Sequence, residues 1–134
     1  IDIINDGGNL IDASSIAAAV SLLEAKMPQL DEDQKVLHGK KSEEKLPLTG
    51  IPLCTTFAKI GKFTFLDPSL GEYASLDARL TIGTINTDEN DKLKLCSMQK
   101  NGTEGFTVEE IYESIEAAEV ASQKIRQSIL SVVQ

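Results

Sequence analysis

The residues best able to do chemistry near the start of this sequence are Asp6-Gly7-Gly8-Asn9, which Asp12 follows closely. Alternating oxygen ligands begin a calcium loop, but that loop needs a bidentate Glu at its twelfth position, where this chain has Ala17. A glycine pair before a helix favours phosphate, yet the P-loop lysine and the G-x-G-x-x-G pattern are missing. We therefore interpret Asp6 to Asn9 as a tight turn, Asn9 as the cap of the next helix, and Asp12 as a partner of the helix dipole.

The other reactive side chains stand apart from one another. His38 is the only histidine, and no Ser or Cys nucleophile lies in a recognisable motif beside it, so we interpret it as a surface residue. Cys54 and Cys96 lie in apolar, strand-like runs without metal-ligand spacing, which is typical of buried, reduced thiols in a cytosolic protein. The run Asp88-Glu89-Asn90-Asp91 would hold a cation only loosely and fits a hairpin tip better. The residue types alone predict no catalytic and no metal site.

The bulk composition narrows the possible partners. The chain has 134 residues, of which 41% are hydrophobic and 25% charged, enough for one domain with an aliphatic core. Its formal net charge is -8 and only 4% of its residues are aromatic, so the isolated chain is expected to bind nucleic acid poorly. No run approaches the ~18 apolar residues of a membrane span, and we expect no membrane partner.

The first 28 residues predict a strand, a turn and a helix. Ile1-Asp2-Ile3-Ile4 is strand-like from the first residue, which suggests that the chain begins partway through a domain. The helix is predicted from Leu10 to Ala25, before Pro28. Its apolar residues cover nearly all faces, which predicts burial on more than one side. Residues 29–50 are expected to be a polar connector, with a short strand at 34–38 and a solvated loop at 40–45.

Alternation predicts several strands between residues 51 and 100. The first two, 51–60 and 63–67, are separated by the turn Gly61-Lys62. The next two, 76–86 and 92–99, are separated by the acidic turn at 88–91, and a polar loop over 99–105 follows. Consecutive strands joined by short turns favour an α+β fold with an antiparallel or mixed sheet.

A long helix is predicted over residues 106–132. Thr107 and Glu110 have the spacing of a capping box, and Phe106 with Ile111 that of a hydrophobic staple. Lys124 and Arg126 are expected to favour the negative end of the helix dipole. One helical stripe follows the spacing of Ile111, Ile115, Ala118, Ser122, Ile125 and Ile129.

Several motifs, taken in order, resemble the ribonuclease PH-like ring subunits of the RNA exosome. Each motif is weak alone, but their order is specific and covers essentially the whole chain as the second half of such a domain. The motifs are Ile3 to Ser14, Leu46-Pro47-Leu48, Ile51-Pro52-Leu53, Thr56 to Gly61, Leu66 to Leu70, Leu76 to Ile82, Met98-Gln99-Lys100 and Gly105 to Ile111.

The closest resemblance is to the archaeal subunit that lacks catalytic residues and alternates with an active subunit in a hexameric ring. The active kind carries an Asp just before an apolar-Pro step, and a second acid earlier, for metal-dependent phosphorolysis of RNA from its 3′ end. Here Gly50 stands at the matching position in Thr49-Gly50-Ile51-Pro52, and Glu44 lies near the earlier acid. The resemblance therefore implies no catalytic residue and no metal ligand in this chain, and it assigns no RNA-binding residue.

The same resemblance implies the setting in which the chain works. Its partners would be the catalytic ring subunit, the RNA-binding cap subunits and, through the assembled complex, RNA. Phosphate and Mg²⁺ would bind at the partner's site, and RNA degradation and processing would take place in the cytoplasm. Two alternatives remain: a divergent phosphorolytic 3′-5′ exoribonuclease that uses Glu44 or another acid, and a stand-alone acidic interaction module.

Overall fold

The computed structural model describes residues 1–86 and 93–133, so the acidic turn predicted at 88–91 lies outside the described residues. The elements follow one another as α1 (Leu10–Glu24), β1 (Lys26–Leu30), β2 (Val36–Lys45), β3 (Leu53–Ile60), β4 (Phe63–Leu66), α2 (Leu70–Tyr73), β5 (Ala78–Asn86), β6 (Leu93–Gly102) and α3 (Val108–Val133). Within the described ranges, no helix combines the length and hydropathy needed to cross a membrane.

The main sheet has four antiparallel strands in the order β4-β3-β5-β6. β3 and β5 are its buried centre, while β6 is an edge strand whose residues are mostly exposed. β1 and β2 form a separate two-stranded antiparallel sheet. The predicted α+β class, with an antiparallel sheet and a long final helix, is confirmed.

The first part of α3 packs across β3 and β5. Its buried Ala118 packs against three side chains of the sheet, Phe57, Leu80 and Ile82. Phe57 and Leu80 are partners across β3 and β5, and Ile82 lies two residues further along β5. Phe106, Ile111 and Ile115 pack against this cluster. The helical stripe predicted from the sequence supplies these contacts, because residues three or four apart share one helix face.

A second core cluster joins α1, the last turns of α3 and the start of β3. Its buried members are Ala19, Ile51, Leu53 and Ile129. Ile16, Val20, Leu23, Ile125 and Val133 pack around them. The two helices therefore meet where the chain enters β3, and they hold residues 50–53 between them and the end of β5.

Two predictions about the first 28 residues were wrong. Residues 1–4 form no strand: Ile4 is 100% exposed and Ile1 79%, because none of the described strands pairs with this segment. The predicted helix is present, but it is not buried on several sides. Ala19 is its only buried residue, and Leu22 stays 44% exposed, because the described chain packs against one side of α1 only.

The connector predicted at 29–50 was also wrong in part. A single short strand was expected, yet β1 and β2 form a hairpin that includes the segment 40–45 predicted as a loop. β6 continues to Gly102, beyond its predicted end, because it stays paired with β5 as far as Ala78. The sequence reading missed α2, although Ser69 and Glu72 carry the spacing of a capping box and form both of its hydrogen bonds.

Candidate functional site

The predicted turn at Asp6-Gly7-Gly8 closes on the chain itself. The Gly8 N–H donates to Asp6 Oδ1 at 2.9 Å, and the Leu70 N–H donates to the Gly7 carbonyl oxygen at 2.9 Å. Gly8 has φ +109°, and a Cβ there would lie 2.5 Å from the backbone nitrogen of Leu70. Only glycine fits, because both the backbone angle and the approach of the 68–70 loop exclude a side chain.

Asn9 does not cap α1, contrary to the prediction from its position. It adopts a left-handed conformation, is 6% exposed and makes no side-chain hydrogen bond to the helix N-terminus. Its Nδ2 instead donates to Asp12 Oδ2 at 2.8 Å and to Asp67 Oδ1 at 2.7 Å. The amide is engaged by two carboxylates, so it serves a tertiary contact rather than the helix end.

Asp12 lies in the first turn of α1, as the sequence places it, but its carboxylate binds β3. Oδ2 accepts from the Thr56 N–H and Oδ1 from Thr56 Oγ1, both at 2.7 Å. Ser15 Oγ accepts from the Cys54 N–H at 3.0 Å. β4 pairs with β3 only from Phe57 onward, so these α1 side chains satisfy the part of the edge that β4 leaves open.

This arrangement opposes anion binding at the glycine turn. The carboxylates of Asp6, Asp12 and Asp67 all take part in the hydrogen bonds that surround Gly8 and Asn9. Like charges repel, and most strongly where they are partly withdrawn from water. The turn therefore positions α1 against the sheet and the 66–70 loop, which is an architectural role.

The two thiols differ in their surroundings. Cys54 is half-buried, and burial raises the pKa of its thiol, with the nearby charge of Asp12 adding to the effect. A raised pKa keeps the thiol protonated and weakly nucleophilic. Cys96 was predicted to be buried and is exposed, because β6 is an edge strand whose residues are mostly exposed. Both cysteines are free.

No metal centre is assembled in the part of the chain that the structure describes. His38 is exposed on β2, as expected for a surface histidine. No group of three or more His, Cys, Asp or Glu side chains converges within residues 1–86 and 93–133. Glu44 is exposed on β2, a strand that pairs only with β1 and does not join the main sheet.

Gly50 packs directly against the end of β5. A Cβ on Gly50 would lie 2.1 Å from the carbonyl oxygen of Asn86 and 2.9 Å from Ile85 Cγ1. The next residue, Ile51, donates its N–H to Asn86 Oδ1 at 3.2 Å. The adjoining cavity is apolar and its lining includes no carboxylate; it consists of Ala19, Leu22, Pro47, Leu48, Thr49, Gly50, Ile51, Pro52 and Ile85. The backbone of β5 thus excludes any side chain at Gly50.

Arg126 holds the same segment from α3. Arg126 is 3% exposed. Its Nε donates to the Ile51 carbonyl oxygen at 2.8 Å. Its Nη2 donates to Thr84 Oγ1 at 3.0 Å and also to the Thr84 carbonyl oxygen. Arg126 was predicted to favour the negative end of the helix dipole, which was wrong, because its guanidinium binds Ile51 and Thr84 and it lies outside the last turn of α3. Its spacing from Ser122 and Ile129 places it on the buried stripe, and that signal was available in the sequence.

The start of α3 is attached to β3 through Glu110. The Thr107 N–H donates to Glu110 Oε2 at 2.7 Å, and the Glu110 N–H donates to Thr107 Oγ1 at 3.1 Å, which are the two bonds of a capping box. Lys59 Nζ reaches both Glu110 oxygens at 2.7 Å. The Lys59 hydrogen bond, followed by that from the Thr107 backbone, lowers the pKa of the Glu110 carboxyl below its usual value.

Residues 50–121 match the model of the 3′ exoribonuclease family, domain 2. This span begins at Gly50 and takes in the main sheet and the first half of α3. The chain belongs to the 3′ exoribonuclease family. The resemblance drawn from its motifs is thereby confirmed, with the ribonuclease PH-like C-terminal domain as its fold.

This 3′ exoribonuclease-family domain has similar proteins in archaea. It is 35% identical to the exosome complex component Rrp42 of Thermococcus kodakarensis, over 99% of this chain and 48% of the relative. It is 36% identical to Rrp42 of Methanothermobacter thermautotrophicus, over 96% of this chain and 45% of the relative. The chain therefore spans about half the length of the relatives it matches.

A solved structure of the Archaeoglobus fulgidus exosome with RNA bound to the active site is similar in fold. The TM-score is 0.76 at 28% identity, over 93% of this chain and 45% of that one. The α+β architecture of this family domain is thus found within an assembled archaeal exosome.

Proposed function

We propose that the protein is a non-catalytic ring subunit of an exosome. In this role it supports 3′-to-5′ phosphorolytic RNA degradation by an active ribonuclease PH-like neighbour in a hexameric ring, in the cytoplasm, and helps to form the RNA path. The relatives named as exosome components and the similar fold in solved exosomes support the assembly part of the proposal. Cap subunits and RNA would meet the chain only within the assembled ring.

The observation that carries the non-catalytic part is the environment of Gly50. The resemblance places a catalytic Asp of active subunits at this position, and glycine has no group that binds a metal or moves a proton. The Asn86 carbonyl oxygen, 2.1 Å from where a Cβ would stand, also leaves no room for a carboxylate. Two observations therefore support a non-catalytic role: the residue type at position 50 and the packing of β5 against it.

Substitution at Gly50 tests the packing. We expect Gly50→Ala to lower the free energy of unfolding by about 1–3 kcal/mol, because the new methyl forces the chain away from β5. Gly50→Asp should destabilise further and give no RNA-shortening activity. Gly71→Asp is the matched control, since a Cβ at Gly71 meets nothing within 4 Å. The test compares the melting temperatures of the three variants with that of the parent protein.

Activity assays test the function itself. The protein, purified alone, is expected to leave single-stranded RNA intact in the presence of phosphate and Mg²⁺. Phosphate-dependent shortening by that subunit alone would overturn the proposal. Glu44→Ala in the reconstituted ring addresses the enzymatic alternative: unchanged activity excludes Glu44 as a catalytic acid, as its exposed place on the separate hairpin leads us to expect.

A further inference from the structure

The hairpin formed by β1 and β2, residues 26–45, is separate from the body of the domain, and we call it the hairpin arm. Its strands pair with each other and not with the main sheet. None of its side chains belongs to either core cluster. Along the two strands, only Leu37 and Ser42 are even half-buried. The fold of the body therefore gains little from the arm.

The arm nevertheless has a defined internal structure. Asp31 Oδ1 accepts from the Asp33 and Lys35 N–H groups at its tip, at 2.9 and 2.8 Å. Near its base Lys26 pairs with Glu43 at 2.8 Å within the arm, and Lys45 pairs with Glu24 at the end of α1 at 3.2 Å. Exposed ion pairs stabilise little, and an isolated two-stranded hairpin is marginally stable in water. A surface outside these contacts is needed to hold the arm firmly.

The exposed chemistry of the arm indicates what that surface must be. Leu30 and Val36 face each other across the strands and are 43% and 48% exposed. His38, Lys40 and Lys41 lie in a stretch, 34–42, that contains no acid. Lys40 and Lys41 make no ion pair with any described residue. The arm thus presents an apolar pair next to unneutralised positive charge.

These features favour a protein surface over RNA. Bases bind to single-strand sites by stacking on aromatic rings, and residues 26–45 contain no Phe, Tyr or Trp. The arm has five lysines and five carboxylates, so it carries no net charge, and the net -8 of the chain resides in the body. Because the arm is neutral, it lacks the excess of positive charge that attracts a phosphate backbone.

We propose that the hairpin arm docks on the adjacent subunit of the ring. The receiving surface would have an apolar pocket for Leu30 and Val36 and carboxylates opposite Lys40 and Lys41. This inference rests on the proposed function, because it takes ring assembly as given and names the contact that secures it.

Excision of the arm gives the sharpest test. The Leu46 N–H donates to the Ala25 carbonyl oxygen at 2.8 Å, so the two chain ends of the arm are already side by side. An Asn-Gly turn can replace residues 26–45, since this pair suits a two-residue hairpin connection. In the natural polypeptide we expect an unchanged melting temperature and an affinity for the catalytic ring subunit at least about tenfold weaker, measured by sedimentation.

Point variants separate the two parts of the contact. Lys40→Glu with Lys41→Glu should weaken assembly about as much as the excision and make it less dependent on salt, whereas Lys62→Glu, an exposed lysine in the β3–β4 turn, should not. Leu30→Ser with Val36→Ser should weaken assembly at every salt concentration.

Four results would overturn the inference. If the variant without the arm bound the catalytic subunit as tightly as the parent does, the arm would not be the contact. A lower melting temperature of the excised polypeptide would show that the arm packs on its own chain. Normal assembly with loss of RNA retention would indicate an RNA-binding arm. If the parent itself did not assemble with a catalytic subunit, the proposed function would fail together with this inference.

Discussion

Asp12 illustrates at the level of one residue why position along a helix does not determine a side chain's partners. It lies in the first turn of α1, where a carboxylate favours the helix dipole, yet both of its oxygens accept hydrogen bonds from Thr56, 44 residues away. Asn9 completes the group by donating to Asp12 and Asp67. The result is a polar connection between α1, β3 and the loop after β4.

Removal of this carboxylate should destabilise the domain. We expect Asp12→Ala to lower the free energy of unfolding by about 2–3 kcal/mol, because the buried Thr56 N–H loses its acceptor. Asp12→Asn should lower the free energy of unfolding by less, since its side-chain carbonyl oxygen can still accept a hydrogen bond. Chemical denaturation measures both, with the exposed Asp2→Ala as control. Equal stability of the Asp12→Ala and Asp2→Ala variants would contradict the assignment.

The sequence predicts the turn and the cap position of these residues but not which hydrogen bonds their side chains make. The turn at Asp6 to Gly8 follows from the local preference of glycine for positive φ. Asn9 has the type and position of a helix cap, and the competing carboxylate of Asp67 is 58 residues away in the sequence. No local pattern carries that information, so only the fold reveals which hydrogen bond is formed.

Among the elements, α3 has two parts with different tasks. Its first half covers β3 and β5 with apolar side chains, while its second half meets α1. Arg126 lies in the second half and connects the helix with the carbonyl oxygens of Ile51 and Thr84. One guanidinium thereby joins α3, the entrance to β3 and the end of β5.

Replacement of this guanidinium should loosen three elements at once. We expect Arg126→Ala to lower the free energy of unfolding by about 2–4 kcal/mol, since two buried carbonyl groups lose charged donors. Arg126→Lys should recover only part of this, because an ammonium lacks the planar fork. Lys124→Ala, exposed on the same helix, is the matched control. Similar melting temperatures for the Arg126→Ala and Lys124→Ala variants would count against this role.

The elements that the sequence predicted well are those whose burial left a clear pattern. α3 has one buried stripe, and the spacing of its residues predicts it. The central strands β3 and β5 are buried at consecutive positions, and their apolar, β-branched runs predict them. β1 and β2 are exposed and mostly polar, so alternation carries no signal for them. Three of residues 1–4 are isoleucine, which favours a strand, yet a strand also needs a neighbour to pair with, and propensity alone does not supply one.

For the whole molecule, the net charge of -8 opposes binding of RNA by the isolated chain. A polyanion binds proteins mainly through lysines and arginines that displace its counterions. We expect the chain by itself to bind single-stranded RNA with a Kd weaker than about 0.1 mM at physiological salt. Fluorescence anisotropy measures this, with the ring assembled from both subunits as the positive control. Micromolar, steeply salt-dependent binding by the lone chain would contradict the expectation.

The candidate site at Gly50 could be located from the sequence only through the resemblance of the surrounding motifs. Composition and spacing identified no catalytic group, because the feature of interest is a residue without a side chain. The reason why Gly50 must remain glycine comes from Asn86, which lies on another strand and was predicted only as the end of β5. Packing across strands is a property of the whole fold, and it was invisible in the motif itself.

The hydrogen bonds from Asp12 and Ser15 to β3 have a consequence for how the chain can vary in length. They join α1 directly to β3, so the intervening residues 25–52 form a closed loop whose ends are fixed independently of what lies inside it. Doubling the length of a loop raises the free-energy cost of closing it by only about 0.6 kcal/mol. Insertions and deletions within the hairpin arm, residues 26–45, should therefore be tolerated by the fold, and the length of the arm is free to change with the surface on which it docks.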